Sequence, residues 1–238
     1  MSCGSEEPNA ICQINDNTDL TEPNVRATEI ELYEGLKASS QNCWPSLNFD
    51  IGGINNLISP FIPAGFYYKT FMWPKSFWKK IYEPLIRLSA GLGKSPTQPD
   101  PDIYDHKHEH CDVLVIGGGI SGIISAKIAA KNNLKTILID DKNTLGGSTI
   151  YQNNKNFIID NQKSNEWLMN EVSELEKLDN LIIKTRTSLA AFHSYNYLLA
   201  KENISDHLPL DKKNGSIRQR LWNCLLYTSP SPRDERLS

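Results

Sequence analysis

Gly117, Gly118, Gly119 and Gly122, with Ile120 and Ser121 between them and Asp140 further on, form a grouping whose types and spacing could do chemistry. The run Gly117-Gly118-Gly119-Ile120-Ser121-Gly122 is a GxGxxG. Such glycines serve the diphosphate of an adenine dinucleotide. Gly117 permits a tight strand-to-helix turn, Gly119 lets the backbone approach the phosphates, and Gly122 lets the helix lie close against the strand. Amides of the first helical turn then meet phosphate charge at the positive end of the helix dipole. Asp140 stands 18 residues after Gly122, where its carboxylate would accept hydrogen bonds from a ribose diol and repel a 2′-phosphate. NAD or the ADP half of FAD is therefore expected over NADP. Asp141 and the second glycine pair in Leu145-Gly146-Gly147-Ser148 add an apolar-then-glycine turn that also allows close approach.

The elements around these residues have the order the chemistry requires. Val113 to Ile116 is a short apolar run bounded by glycine, which predicts a strand buried on both faces. A helix is predicted from about Ser121 to Asn132, with Ile123, Ile124, Ala126, Ile128, Ala129 and Ala130 as its apolar and small positions. Asn133 ends it, and Thr136 to Ile139 predict a second parallel strand. Further on, Ser164 is expected to cap a helix carrying Trp167, Leu168, Val172, Leu175 and Leu178. Leu181 to Thr187 predicts a third strand. Ala190 to His193 and Tyr197 to Ala200 predict a hairpin turning at Ser194-Tyr195-Asn196. His193 and His207 lack an identifiable nucleophile or acid beside them and read as structural.

Composition bounds the rest. The chain is 39% hydrophobic and 22% charged, enough apolar content for a sizeable core, which excludes a disordered or fibrous chain. Lys+Arg total 25 against Asp+Glu 28, so no global basic field exists to hold a nucleic-acid backbone. No apolar stretch of about 18 residues occurs, and the N-terminus has no secretory pattern, so a cytoplasmic protein with neither nucleic-acid nor membrane partners is expected. Five scattered cysteines, Cys3, Cys12, Cys43, Cys111 and Cys224, argue for isolated reduced thiols.

Residues 1 to about 30 are polar, and Val25, Ala27, Glu29, Ile30 and Leu32 alternate as one strand, which would need partner strands from elsewhere. Residues 31 to 105 read as a connecting region whose prolines prevent long helices. Between Phe66 and Tyr82 it carries eight aromatic side chains interleaved with lysines, which are expected to be buried on a neighbouring domain or subunit rather than on a membrane or nucleic acid. His106, His108 and His110 alternate with metal-like spacing, but no cysteine or carboxylate is evidently paired with them; a solvated strand is expected, with no metal site. A domain boundary is expected near residue 105.

On GSEEPNA at 4 to 10, EPNVRATEIELYEGL at 22 to 36, the aromatic segment at 42 to 94, DHKHEHCDVLVIGGGISG and RTSLAAFHSYNYLLA, the chain from about residue 4 to 222 resembles alpha subunits of heterotetrameric sarcosine oxidase. The resemblance implies an oxidoreductase complex that oxidatively demethylates sarcosine to glycine and passes the one-carbon unit to tetrahydrofolate. It implies an alpha subunit with a ferredoxin-like N-terminal domain, an NAD-binding domain and a C-terminal folate-binding domain. FAD is implied in the partner beta subunit and FMN near the interface of the two. The NAD-binding glycines carry over onto Gly117, Gly119 and Gly122, and the ribose acid onto Asp140. No catalytic residue carries over, which leaves two alternatives open: a module that holds NAD without hydride transfer, and an FAD-dependent amine or opine dehydrogenase-like subunit, since the same glycines and acid serve FAD equally well.

The expected organisation is a remnant of a ferredoxin-like domain at 1–35, a wrapped connecting segment at 36–105, an incomplete α/β, Rossmann-like dinucleotide-binding domain at 106–223, and a tail at 224–238. That tail, beginning Cys224-Leu225-Leu226-Tyr227-Thr228-Ser229-Pro230, looks like a translated sequencing adapter and is expected to lie outside the fold. Poor stability is expected for such a fragment, because an incomplete sheet leaves an open strand edge.

Overall fold

The computed structural model describes residues 11–14, 21–27, 30–41, 43, 45–46, 48–51, 73–89, 91–93, 96, 99–151, 157–209, 212 and 215–226. Two compact units divide the chain, one of residues 1–101 with 207–209 and one of 102–206 with 210–238.

In the first unit three short strands, β1 (Ile11–Ile14), β2 (Glu22–Arg26) and β3 (Ala38–Ser40), form an antiparallel sheet in the order β2-β1-β3. The sequence reading is corrected here: the strand covers Glu22–Arg26, not 25–32, and its partner strands come from this chain. β1 offers only four residues to pair with, so the alternation beyond Arg26 has no ladder to join. The Asn24 amide donates to Gln41 Oε1 at 2.7 Å, and the Gly93 amide donates to Asn24 Oδ1 at 2.9 Å, closing the ends of the unit on each other. A two-stranded pair, β4 (Pro45–Ser46) and β5 (Phe49–Asp50), follows.

Residues 66–72 of the aromatic segment lie outside the described residues. From Lys75 the chain is helical: a tight turn (Lys75–Phe77), a wide turn (Trp78–Tyr82) and α1 (Glu83–Ser89). Pro84 stands inside this run directly after the wide turn, whose closing bond is made by the Glu83 amide to the Trp78 carbonyl; Pro84 itself has no N–H to give. No aromatic side chain in the described part of the segment is fully buried. Trp78, Tyr82 and Ile86 are half-buried, whereas Trp73 is 82% and Phe77 43% exposed. Helical spacing separates the two sets onto different sides.

The second unit is layered. Its centre is a parallel sheet of β7 (Val113–Ile116), β8 (Thr136–Ile139) and β11 (Leu181–Lys184), in the order β11-β8-β7. Helices α2 (Ile120–Lys131) and α4 (Ser164–Leu175) cover one face. The other face is covered by a four-stranded sheet of β12 (Thr187–His193), β13 (Tyr197–Asn203), β14 (Ile217–Leu226) and β6 (Ile103–Cys111), in the order β12-β13-β14-β6. All four residues of β8 are buried because side chains on both of its faces have a layer to meet. Leu138 packs with Ile123, Ala126, Trp167 and Leu175 on the helical side. Ile137 and Ile139 pack with Cys111, Leu198, Ala200, Trp222 and Cys224 on the other. The short α3 (Ser148–Tyr151) and the pair β9 (Ile158–Ile159) and β10 (Gln162–Lys163) complete the unit.

Most predicted elements here agree with the observed ones to within a residue or two, but β12 begins three residues before and β13 ends three residues after the predicted hairpin arms, β7 is half-buried with Ile116 exposed rather than buried on both faces, and three further differences stand out. Ser164 does not cap its helix by a side-chain hydrogen bond; Lys163 is the capping position, and Ser164 is buried in the first turn. The third strand stops at Lys184 because Arg186 takes a positive φ of 51°, and Thr187 opens the next strand. The boundary at 224 also gives way. β14 runs through Leu226, paired with β13 and in parallel with β6, and Cys224 is buried in the core.

Candidate dinucleotide site

The glycine loop joins β7 to α2 at the carboxyl end of the parallel sheet, the end at which open α/β sheets bind ligands. Gly117 turns the chain with a φ of +97°, and its amide donates to the Ile139 carbonyl at 2.8 Å, fastening the loop to the end of β8. At Gly122 a methyl group would fall 1.8 Å from the Gly117 carbonyl oxygen, so helix and loop touch there through backbone alone. At Gly119 a methyl group would meet no protein atom within 4 Å. That open space lies where α2 begins, and the Ile123 amide, donating to Gly119 O at 2.9 Å, makes the first helical bond. Gly119 is the N-cap and provides no side chain to the first-turn amides, which include those of Ile120, Ser121 and Gly122. A cradle of amide donors with no Cβ in the way fits a diphosphate.

Gly118 has a requirement the sequence reading did not assign. Its amide donates to Asp140 Oδ2 at 2.5 Å, and a methyl group on it would lie 2.4 Å from Leu145 Cδ2. Asp140 is 7% exposed, and its other oxygen accepts from the Lys142 amide at 2.8 Å. A carboxylate has about four lone-pair sites, so two remain for a diol. The carboxylate thus pins the loop as well as offering itself to a sugar. Asp141, by contrast, is exposed and pairs with the Lys142 ammonium at 3.3 Å, a solvent-screened contact apart from Asp140.

The second glycine pair sits directly on the first loop. The Gly146 amide donates to the Gly118 carbonyl at 2.7 Å, and a methyl on Gly147 would lie 3.2 Å from Gly119 Cα. Both have positive φ, 128° and 54°. Ser148 is exposed at the start of α3, whereas Thr149 is buried and its hydroxyl has no hydrogen-bond partner among the described residues. Sequence reasoning named Ser148 and passed over Thr149. Across the helical layer, Lys127 on α2 reaches Glu171 and Glu174 on α4, each at 2.7 Å, and the two carboxylates raise its pKa.

The remaining candidates lie apart. His106, His108 and His110 alternate along the exposed face of β6, while Asp105 and Glu109 turn inward. Asp105 receives Arg220 Nε at 2.9 Å, and Glu109 receives Lys135 Nζ at 2.8 Å, which holds the Glu109 carboxyl below its ordinary 4.5. Among the described residues no group of three His, Cys, Asp or Glu side chains could hold a metal ion. Burial pushes the Cys111 thiol up to about 12 and raises that of Cys224, so neither is an activated nucleophile. Burial likewise lowers the pKa of Lys184, whose ammonium stands 3.5 Å from the centroid of the Trp222 ring. His193 lies against Tyr197 with ring centroids 5.7 Å apart. No described helix is long and apolar enough to cross a membrane.

Residues 112–206 match the family model described as FAD dependent oxidoreductase. The chain is similar to sarcosine oxidase subunit alpha of Rhizobium meliloti (strain 1021), 41% identical over 222 residues that take in 93% of this chain and 22% of that protein. It is also similar to sarcosine oxidase subunit alpha of Corynebacterium sp. (strain P-1), 32% identical over 136 residues, 57% of this chain and 14% of that protein. The chain therefore spans about a fifth or less of the length of these relatives. Among solved structures, L-proline dehydrogenase from P. horikoshii aligns with a TM-score of 0.37 and 24% identity over 50% of this chain and 22% of that one.

Proposed function

We propose that the second unit binds an adenine dinucleotide at the foot of α2 and does so as the NAD-binding part of a sarcosine oxidase alpha subunit. The observation that carries this is Gly119, where first-turn amides without a side-chain cap border a space in which an added methyl meets none of the described residues within 4 Å. Asp140, held in place by two backbone amides, would take the ribose hydroxyls. When bound, the nucleotide would supply a hydride-accepting or flavin ring. This chain's own residues bind and orient it, and none of those described at the mouth is an acid, base or thiol placed to process substrate.

In this reading the first unit holds part of a ferredoxin-like domain that includes β3 at Ala38–Ser40, followed by a connecting segment, and the second unit is part of a dinucleotide-binding domain that begins with β6 and includes β14 through Leu226. The similarity to sarcosine oxidase alpha subunits supports a role inside a cytoplasmic hetero-oligomeric oxidoreductase, with a beta subunit as partner and without nucleic acid or membrane. That complex would oxidatively demethylate sarcosine to glycine and hand the one-carbon unit to tetrahydrofolate, with FAD and FMN in the beta subunit or at its interface. A second reading, an FAD site in this chain, is favoured by the family model over residues 112–206. The two separate on one measurement. The nucleotide released by denaturing the purified full-length alpha subunit is identified by absorbance and mass: colourless NAD supports the first reading, yellow FAD the second, and no adenine nucleotide overturns both.

A further inference from the structure

We propose that the exposed row Trp73, Phe77, Ile81 and Leu85 is a docking ridge for a neighbouring subunit, fitted to an apolar groove between helices whose rim carries carboxylates; the inference rests on the hetero-oligomeric reading given above. These side chains are 82%, 43%, 41% and 55% exposed, and each stands four residues after the last. Side chains at that spacing line up along a helix as a ridge, the feature that packs into the groove of a facing helix. The adjoining row, Trp78, Tyr82 and Ile86, is half-buried, so the run already spends one apolar side on its own unit and turns a second to solvent.

The ridge is held in place at both ends. The Tyr82 hydroxyl donates to the Trp73 carbonyl at 3.1 Å, and the Phe77 ring stands edge-on to that of Tyr82 with centroids 6.3 Å apart. Further along, the Arg87 guanidinium donates to the Gly93 carbonyl at 3.3 Å, and the Gly93 amide is the one that bonds Asn24 beside β1. Side chains fixed in this way lose little freedom when a partner arrives.

Charge selects the partner. Residues 73–89 carry Lys75, Lys79, Lys80 and Arg87 against Glu83 alone, in a chain whose 28 acids outnumber its 25 bases. Arg87 answers Glu83 at 3.7 Å, so the exposed lysines set the sign of the flank. A groove rimmed by carboxylates complements them, whereas a second copy of this chain laid ridge to ridge would bring lysine against lysine. A bilayer fits less well, because an interfacial helix buries a broad apolar face, and here a single row faces solvent.

The test compares the full-length alpha subunit alone with the assembled complex, using hydroxyl-radical footprinting at Trp73 and Phe77, sedimentation to measure assembly, and urea denaturation of the alpha subunit alone. Trp73 and Phe77 should be labelled in the free subunit and protected in the complex. Trp73→Ala should weaken assembly about thirtyfold or more and leave the denaturation midpoint unchanged, since that side chain is 82% exposed. Lys79→Glu combined with Lys80→Glu should weaken assembly about tenfold at low salt, with the loss shrinking as salt rises. Protection already present in the free subunit would place the occupant in the same chain, and labelling that persists in the complex would leave the ridge outside the interface; either overturns the inference. So does assembly of Trp73→Ala within about twofold of wild type, or binding of the free subunit to vesicles of phosphatidylcholine and phosphatidylserine that Trp73→Ala abolishes. Failure of the wild-type subunit to enter any complex overturns the hetero-oligomeric reading itself and this inference with it.

Discussion

Gly119→Ala separates a binding role from a folding role at one atom. The backbone there, φ −73° and ψ −174°, is allowed to alanine, and the added methyl meets no protein atom within 4 Å. Its cost to the unliganded fold is that of exchanging glycine for alanine at an N-cap, below about 1 kcal/mol. The same methyl would occupy the space in which a diphosphate approaches the first-turn amides. Displacing the phosphates by about 1 Å breaks the contact distance of a charge-assisted hydrogen bond. With two such bonds lost at roughly 1.5 kcal/mol each, affinity should fall by about 3 kcal/mol, a factor of roughly a hundred. Urea denaturation of the unliganded full-length protein and calorimetric titration with ADP read the two quantities separately. Unchanged ADP affinity in a stable variant would refute the placement of phosphate at this mouth. A loss of several kcal/mol of stability would refute the openness of the space.

Gly122→Ala should do the reverse: a methyl 1.8 Å from the Gly117 carbonyl forces loop and helix apart, lowering stability by about 3 kcal/mol or more, as a denaturation midpoint will report. Asp140→Asn replaces an acceptor oxygen with an NH2 that faces a backbone donor, at Gly118 or at Lys142, so about 1–3 kcal/mol of stability should be lost with nucleotide absent; a variant as stable as wild type would show that the carboxylate does not pin the loop. Lys135→Met bears on pH. Glu109 has a depressed pKa when folded, so its pairing contributes stability above the unfolded value near 4.5, and that contribution is lost as pH falls through the lower folded value. Lys135 is well exposed, which limits the contribution to a few tenths of a kcal/mol up to about 1. Comparing urea midpoints of the two proteins at pH 7 and pH 3 should show a gap at pH 7 that narrows at pH 3; a gap independent of pH would contradict the assignment.

The strand, glycine turn, helix and second strand were legible in the sequence because each is local: Thr136–Ile139 is the observed β8, and the predicted helix is offset from α2 by a residue. The hairpin turn at Ser194–Asn196 was legible for the same reason. What escaped depends on partners far away in sequence. β6 reads from its histidines as a solvated strand, but nothing local in the sequence shows that its inward acids are answered by Arg220 and Lys135 or that β14 lies beside it. At the candidate site the spacing located Asp140 but not its bonds to the Gly118 and Lys142 amides, and no pattern distinguishes exposed Ser148 from buried Thr149.

The pairing of β6 with β14 also sets a schedule. Ile103 waits for Ile217, 114 positions later in the chain (217 against 103), whereas the three parallel strands with α2 and α4 are contained within residues 113–184. At ribosomal speeds of about 5–20 residues per second, β6 leaves synthesis roughly 6 to 23 seconds before its neighbour exists. During that interval its backbone edge is open to other chains. The three outward histidines and the charged side chains of Asp105, Lys107 and Glu109 keep the waiting strand too polar to attract them, so the composition that leaves one face of this strand solvated in the fold is also what lets it wait.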